Sequence, residues 1–223
     1  MTLSFPGLGR EPSPRRFAPG AVHLPGWLSS ADQQRLVAAF REWSTGPVPV
    51  RAAALPGGHR MSVETVCLGR HWQPYRYTRI ATDVNGARVL ELPDWLADLG
   101  RAAVADAYEL DDASNYQPDT ALVNYYAEGA RLGMHQDKDE IINEPVVSLS
   151  MGDSGKFRFG NVENRNRPYS DITLCSGDAL VFGRESRFAY HAVPKTYPGT
   201  APPDCGLEHG RINITMRMTG LQD

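Results

Sequence analysis

Cysteine is scarce in this chain: Cys67, Cys175 and Cys205 are the three, widely spaced and without a Cys-x-x-Cys pair. An odd, scattered set argues against a disulfide framework and a structural zinc site, and it fits a reducing cytoplasm. Long apolar runs are lacking as well; no stretch reaches about 18 residues, so no helical membrane span is expected. Arg10, Arg15 and Arg16 lead into Phe17-Ala18-Pro19-Gly20 rather than an apolar segment. That pattern predicts no secretory or twin-arginine signal, and residues 1–20 read as a flexible tail. Nor is basic charge in excess. With 23 Lys and Arg against 26 Asp and Glu, the formal net charge is -3. The surface as a whole does not attract a polyanion, so any such partner needs a local patch.

What is present suits a single domain over residues 21–223, expected to act as a monomer: 223 residues, 41% of them hydrophobic, can bury a core. A first helix is predicted from Ala31 to Trp43, with Ser30 and Gln33 as a capping box and Leu36, Val37 and Phe40 on one apolar face. A second follows Pro93, with Trp95, Leu96, Leu99 and Ala103 as its stripe. Residues 49–90 are rich in Gly, Pro, Arg and aromatics and carry no helical period. From Thr120 the texture changes to short β-type runs: Ala121–Tyr125, Val146–Met151, Lys156–Phe159, Ile172–Leu174, Ala179–Phe182, Phe188–Val193 and Arg211–Met218. Strands at that spacing predict a sandwich or barrel, and the whole reads as α+β, with N-terminal helices bracing a C-terminal double sheet.

Met134-His135-Gln136-Asp137 sets a His and an Asp two residues apart. In an extended segment both side chains point to one face and can reach one ion. His191, in the apolar run Phe188–Val193, is the candidate third ligand. Two imidazoles and one carboxylate leave open positions, which suits ferrous iron taking a chelating cosubstrate and dioxygen. Taken alone, His-x-Asp is as compatible with a polar surface loop, and Asp137, Asp139, Glu140 and Glu144 with an acidic one; the spacing is not that of an EF-hand.

The last strand narrows the choice. Arg211-Ile212-Asn213-Ile214-Thr215-Met216-Arg217-Met218 alternates strictly, with Arg211, Asn213, Thr215 and Arg217 on one face and the aliphatic residues on the other. The two guanidiniums, about 20 Å apart in a fully extended strand, bracket an amide and a hydroxyl. Such a face suits a small dianion.

Three segments together resemble the AlkB family of iron(II)- and 2-oxoglutarate-dependent oxygenases. They are Asn124-Tyr125-Tyr126-Ala127-x-Gly129-Ala130 leading into His135-Gln136-Asp137-Lys138-Asp139-Glu140, then Glu185-Ser186-Arg187 before Tyr190-His191, and Arg211-x-Asn213-x-Thr215-x-Arg217. The likeness spans roughly residues 118–219. It implies a double-stranded β-helix (jelly-roll) core over about 118–219, with a nucleotide-recognition lid over about 49–90. It implies Fe(II) on His135, Asp137 and His191, and 2-oxoglutarate against Asn124, Tyr126, Arg211, Asn213 and Arg217, with Arg217 nearer the metal. By the same likeness Asp139 contacts the exocyclic amine of a damaged base. The implied reaction is oxidative dealkylation of N-alkyl adenine- and cytosine-type lesions, yielding succinate, CO2 and an aldehyde. The substrate is alkylated DNA, single-stranded or with the base flipped out, or RNA.

The local patch that the net charge demands is Arg70-His71-Trp72-Gln73-Pro74-Tyr75-Arg76-Tyr77-Thr78-Arg79, which interleaves cations and aromatics. Tyr75, Arg76 and Tyr77, with Arg165 on a separate loop, are the candidate backbone contacts. In one respect the chain departs from the family it resembles, where Leu-Gly is often followed by a Trp that stacks on the base. Here Leu68-Gly69 is followed by Arg70, so Arg70 or Trp72 is the candidate stacking group. Competing readings are an oxygenase of the same architecture acting on a protein or small metabolite, a catalytically silent nucleic-acid-binding jelly roll, and a zinc hydrolase.

Overall fold

The computed structural model describes residues 13–55 and 57–222. Its strands are β1 (Arg15–Ala18), β2 (Ala21–Leu24), β3 (Arg51–Ala54), β4 (Arg60–Leu68), β5 (His71–Gln73), β6 (Arg76–Thr78) and β7 (Thr120–Tyr126), followed by β8 (Leu132–His135), β9 (Val146–Gly152), β10 (Ser154–Phe159), β11 (Ser170–Leu174), β12 (Ala179–Phe182), β13 (His191–Tyr197) and β14 (Arg211–Arg217). Two helices, α1 (Ser30–Ser44) and α2 (Asp94–Tyr108), complete the fold. A larger antiparallel sheet in the order β1-β2-β12-β9-β14-β7-β4-β3 faces a smaller one, β11-β10-β13-β8, and β5-β6 form a separate hairpin. This is the expected jelly roll.

The larger sheet buries both faces. Val66, Val123, Leu149, Ile212 and Ile214 pack against α1 and α2 through Leu36, Val37, Leu96 and Val104. The opposite face supplies Tyr126, Leu180 and Phe182, which meet Phe157, Phe159 and Val193 from the smaller sheet. Helices on one side and a second sheet on the other leave the inter-sheet space as the place for a site.

Three expectations need correcting. The tail was expected to reach residue 20, but Arg15–Ala18 pairs with Ala21–Leu24 and joins the larger sheet. Gly20 makes that turn possible: its φ is 71° and a Cβ there would stand 2.3 Å from the Gly183 carbonyl. The remainder of the tail, residues 1–12, lies outside the described residues. The lid is also smaller than residues 49–90, because β3 and β4 belong to the larger sheet. β4 alternates only over Arg60–Glu64 and is buried on both faces from Thr65 to Leu68, where no polar face marks it. Finally, α1 is capped by Ser29, whose hydroxyl accepts from the Asp32 amide at 3.2 Å, and not by a Ser30–Gln33 box. Gln33 is buried and donates to the Leu28 carbonyl. No helix among the described residues is long and apolar enough to cross a membrane.

Candidate active site

β14 lies between β7 and β9, hydrogen-bonded to both. With no free edge, its alternation decides everything: Ile212, Ile214 and Met216 point to the helices, while Arg211, Asn213, Thr215 and Arg217 line a cavity of about 370 Å³ between the sheets. Arg211 is 1% exposed. Its Nη2 donates to Ser150 Oγ (2.7 Å) and its Nη1 to the Leu174 and Asp153 carbonyls (3.2 Å each), while Nε has no partner among the described residues. Gly155 makes room for it, since a Cβ there would lie 3.1 Å from Arg211 Nε. Asn213 donates to Ser148 Oγ (2.6 Å) and accepts from Thr215 Oγ1 (2.9 Å). From β7, Tyr126 and Asn124 complete this wall. Asn124 accepts from Thr65 Oγ1 at 2.7 Å, and burial pushes the Tyr126 phenol up to about 12.

β8 and β13 pair with His135 opposite His191, and their rings stand 4.3 Å apart between centroids. Ligand atoms of His135, Asp137 and His191 all lie within 4.8 Å of one another. Each imidazole bonds a backbone carbonyl through Nδ1, to Gly133 O (2.9 Å) and Ala189 O (3.0 Å), which leaves both Nε2 atoms facing Asp137 at 3.6 and 3.7 Å. Those carbonyls hold the tautomers that a metal requires. Burial, then the neighbouring His135, lowers His191 to about 4, so it is neutral and ready to ligate. Burial alone would raise the Asp137 carboxyl, but Arg217 and the two imidazoles outweigh it and hold the group well below the usual carboxylate range. Asp137 Oδ2 lies 2.8 Å from Arg217 Nη2 yet makes no hydrogen bond among the described residues, which leaves a buried, ionised oxygen turned to the imidazoles. Two imidazole nitrogens and one such oxygen are the donor set of a ferrous centre.

Arg217 is also gripped from behind. Its Nη1 donates to the Tyr77 hydroxyl (2.8 Å), which donates in turn to Glu140 Oε1 (2.6 Å). Arg187, 1% exposed, reaches Glu140 Oε2 (2.9 Å), the Asp137 carbonyl (2.7 Å) and the Glu144 carbonyl (2.7 Å), fastening the loop that carries Asp137.

The hairpin β5-β6 overhangs the cavity. Trp72 lines it and donates from Nε1 to Asp139 Oδ2 at 2.8 Å. Tyr75, 69% exposed with φ 73°, sits at the hairpin tip on the cavity rim, and Arg165 reaches the same rim. Arg76 is exposed and bonds Gln73 (3.2 Å). Two candidates are displaced. Arg70 is buried, paired with Asp119 at 2.9 Å and away from the cavity, so it has no face to offer a base. Tyr77 is 8% exposed with its hydroxyl engaged by Arg217 and Glu140, so it holds the clamp and does not meet a phosphate. Sequence reasoning missed Ser148, Ser150, Thr65 and the bridging roles of Glu140 and Arg187. Small hydroxyl residues in a buried strand carry no signal of their own. Arg187 had one, as an arginine four residues before a metal-ligand candidate.

Fold and donor set define a class, the iron oxygenases that use a 2-oxo acid. The model of the 2OG-Fe(II) oxygenase superfamily matches residues 20–217. The chain is 35% identical to the alpha-ketoglutarate-dependent dioxygenase AlkB of Escherichia coli K12, over 96% of each protein. It is 32% identical to the DNA N(6)-methyladenine demethylase ALKBH1D of Arabidopsis thaliana, over 89% of this chain but about half (49%) of that longer protein. Among solved structures, OsALKBH1 superposes with a TM-score of 0.81 at 30% identity, over 92% of this chain and all of that one. The chain belongs to the AlkB family within the 2OG-Fe(II) oxygenases, and as such uses Fe(II) and 2-oxoglutarate.

Proposed function

We propose that the protein removes alkyl groups from nucleic-acid bases by oxidation, releasing an aldehyde from the repaired base. The observation that carries this reading is the meeting of three groups in one cavity: the ligand triad, the two-arginine face of β14, and the Trp72–Asp139 pair under an aromatic hairpin. Relatives with nucleic-acid demethylase names support it.

His135, Asp137 and His191 hold the iron. Bound there with its cosubstrate, the metal supplies dioxygen activation and the oxidation itself. The chain's residues do the rest. Arg217 lies against a metal ligand and so takes the carboxylate nearer the iron, while Arg211, at the far end of the strand, takes the distal one. Asn124, Tyr126 and Asn213 fix the cosubstrate's orientation. Asp139 accepts from the base's exocyclic amine, and Trp72 presents the stacking surface, so that an N-alkyl carbon is held close to the metal. Tyr75, Arg76 and Arg165 grip the flanking backbone of a single strand or a flipped nucleotide. Action in a reducing cytoplasm fits three free cysteines.

Incubation with a methylated single-stranded oligonucleotide should release formaldehyde only with 2-oxoglutarate present. Cosubstrate turnover without repair of any methylated DNA or RNA would sink the reading in favour of a protein or metabolite substrate.

A further inference from the structure

Five cations lie outside the cavity, on the outward face of the smaller sheet and along its edge. In β10, Phe157 and Phe159 point inward, so Lys156 and Arg158 point out. Lys195 of β13 is the register partner of Lys156 and shares its face. At the free edge of this sheet, beside β8, a groove is lined by Arg60, Arg131 and Arg158 over Met134 and Pro194. The groove shares Leu132, Gly133 and Met134 with the cavity, so β8 walls both.

Ordinary surface chemistry does not account for this. Like charges directly opposite on neighbouring strands destabilise a sheet, and Lys156 faces Lys195. The four strands hold one acid, Asp171, which Arg158 (2.7 Å) and Lys156 (3.3 Å) share. Arg60, Arg131 and Lys195 make no ion pair among the described residues, and all are exposed. The compensating negative charge lies elsewhere. Residues 94–112 carry Asp94, Asp98, Asp106, Glu109, Asp111 and Asp112 against Arg101 alone, and α2 packs on the far side of the larger sheet. A protein of net charge -3 is thus polarised across its sandwich, which turns the smaller sheet towards a polyanion.

We propose that this face, from Lys195 and Lys156 through Arg158 to Arg131 and Arg60, is a second nucleic-acid surface that holds phosphate backbone remote from the damaged base. The proposal rests on the nucleic-acid reading above and extends it: the substrate is a long strand held at two places, not a nucleotide held at one.

Fluorescence anisotropy over a salt series tests it, with the full chain, a methylated trinucleotide and a methylated strand of about 15 nucleotides. In the Arg131→Glu, Lys195→Glu double variant, affinity for the long strand should fall about tenfold or more, and its salt dependence should flatten by about one power of salt per cation lost. The loss should be confined to the long strand. The Lys195→Glu single variant should melt at or above the wild-type temperature, because a like-charged pair becomes an opposite one; damage to the fold would lower it. The milder Arg131→Gln, Lys195→Gln pair should show a smaller change of the same kind. An unchanged salt dependence, or an equal loss on both lengths, overturns the proposal while leaving the nucleic-acid reading intact. A wild-type protein that binds neither oligonucleotide overturns both.

Discussion

Arg217 Nη2 lies 2.8 Å from Asp137 Oδ2, so the proposed cosubstrate clamp and metal triad touch, among the described residues, through one ion pair with both members buried. Burial would lower the guanidinium, but Asp137, Tyr77 and Glu140 raise it well above its ordinary value. Removing one partner of a buried pair strands the other charge, at about 3–5 kcal/mol. Arg217→Ala should therefore lower the melting temperature of the metal-free protein by roughly 10 °C. A divalent ion in the triad should restore much of that, because its charge takes over from the guanidinium. Thermal unfolding with and without Fe(II) under argon checks this, and a loss that the ion leaves untouched counts against the pairing.

Metal binding and base recognition are separable in this site. Anaerobic addition of Fe(II) and 2-oxoglutarate should produce the weak visible charge-transfer band of the chelate. His135→Ala should abolish both band and formaldehyde release. Asp139→Ala should keep the band but lose about 10–100-fold in turnover of a methylated oligonucleotide, the worth of a hydrogen bond to a charged group. Equal damage to both readouts in Asp139→Ala would place that residue with the metal instead.

Trp72 is tethered to Asp139 by its indole N–H (2.8 Å). Trp72→Ala should reduce kcat/KM on a methylated oligonucleotide by about 5–150-fold, the range of a lost base stack. Trp72→Phe keeps a ring but frees the carboxylate, and should fall between the two. Steady-state kinetics decide; a fully active Trp72→Ala enzyme means the base stacks elsewhere.

Tyr75 holds φ 73° at the tip of the hairpin, a strained conformation for a residue with a Cβ, costing about 1 kcal/mol. Tyr75→Gly should leave the melting temperature level or slightly higher while raising KM for the nucleic acid. A lowered melting temperature with unchanged KM would assign Tyr75 to packing alone.

Much of this site is legible without coordinates because its logic is local. The alternation of Arg211 to Arg217 follows from the two-residue period of a strand, and the short His135-x-Asp137 spacing keeps Asp137, on the loop just past β8, within reach of the same ion. Where sequence reasoning slipped, burial was the cause. Arg70 and Tyr77 carry the chemistry of nucleic-acid contacts, and composition cannot tell a cation reaching solvent from one locked to Asp119, or a phenol at the surface from one bonded to Arg217 and Glu140. β3 and the first half of β4 escaped notice because their polar face is short, and Thr65–Leu68 because a stretch buried on both sides shows no polar face.

The amino-acid order by itself determined which residue types alternate, where helices start, and which donors stand two apart. Tertiary structure alone decided that β8 and β13 pair with His135 opposite His191, and that Arg217 reaches Asp137 across the cavity. Those contacts join segments dozens of residues apart. Their geometry depends on strand register and on what fills the space between two sheets, neither of which a local pattern encodes.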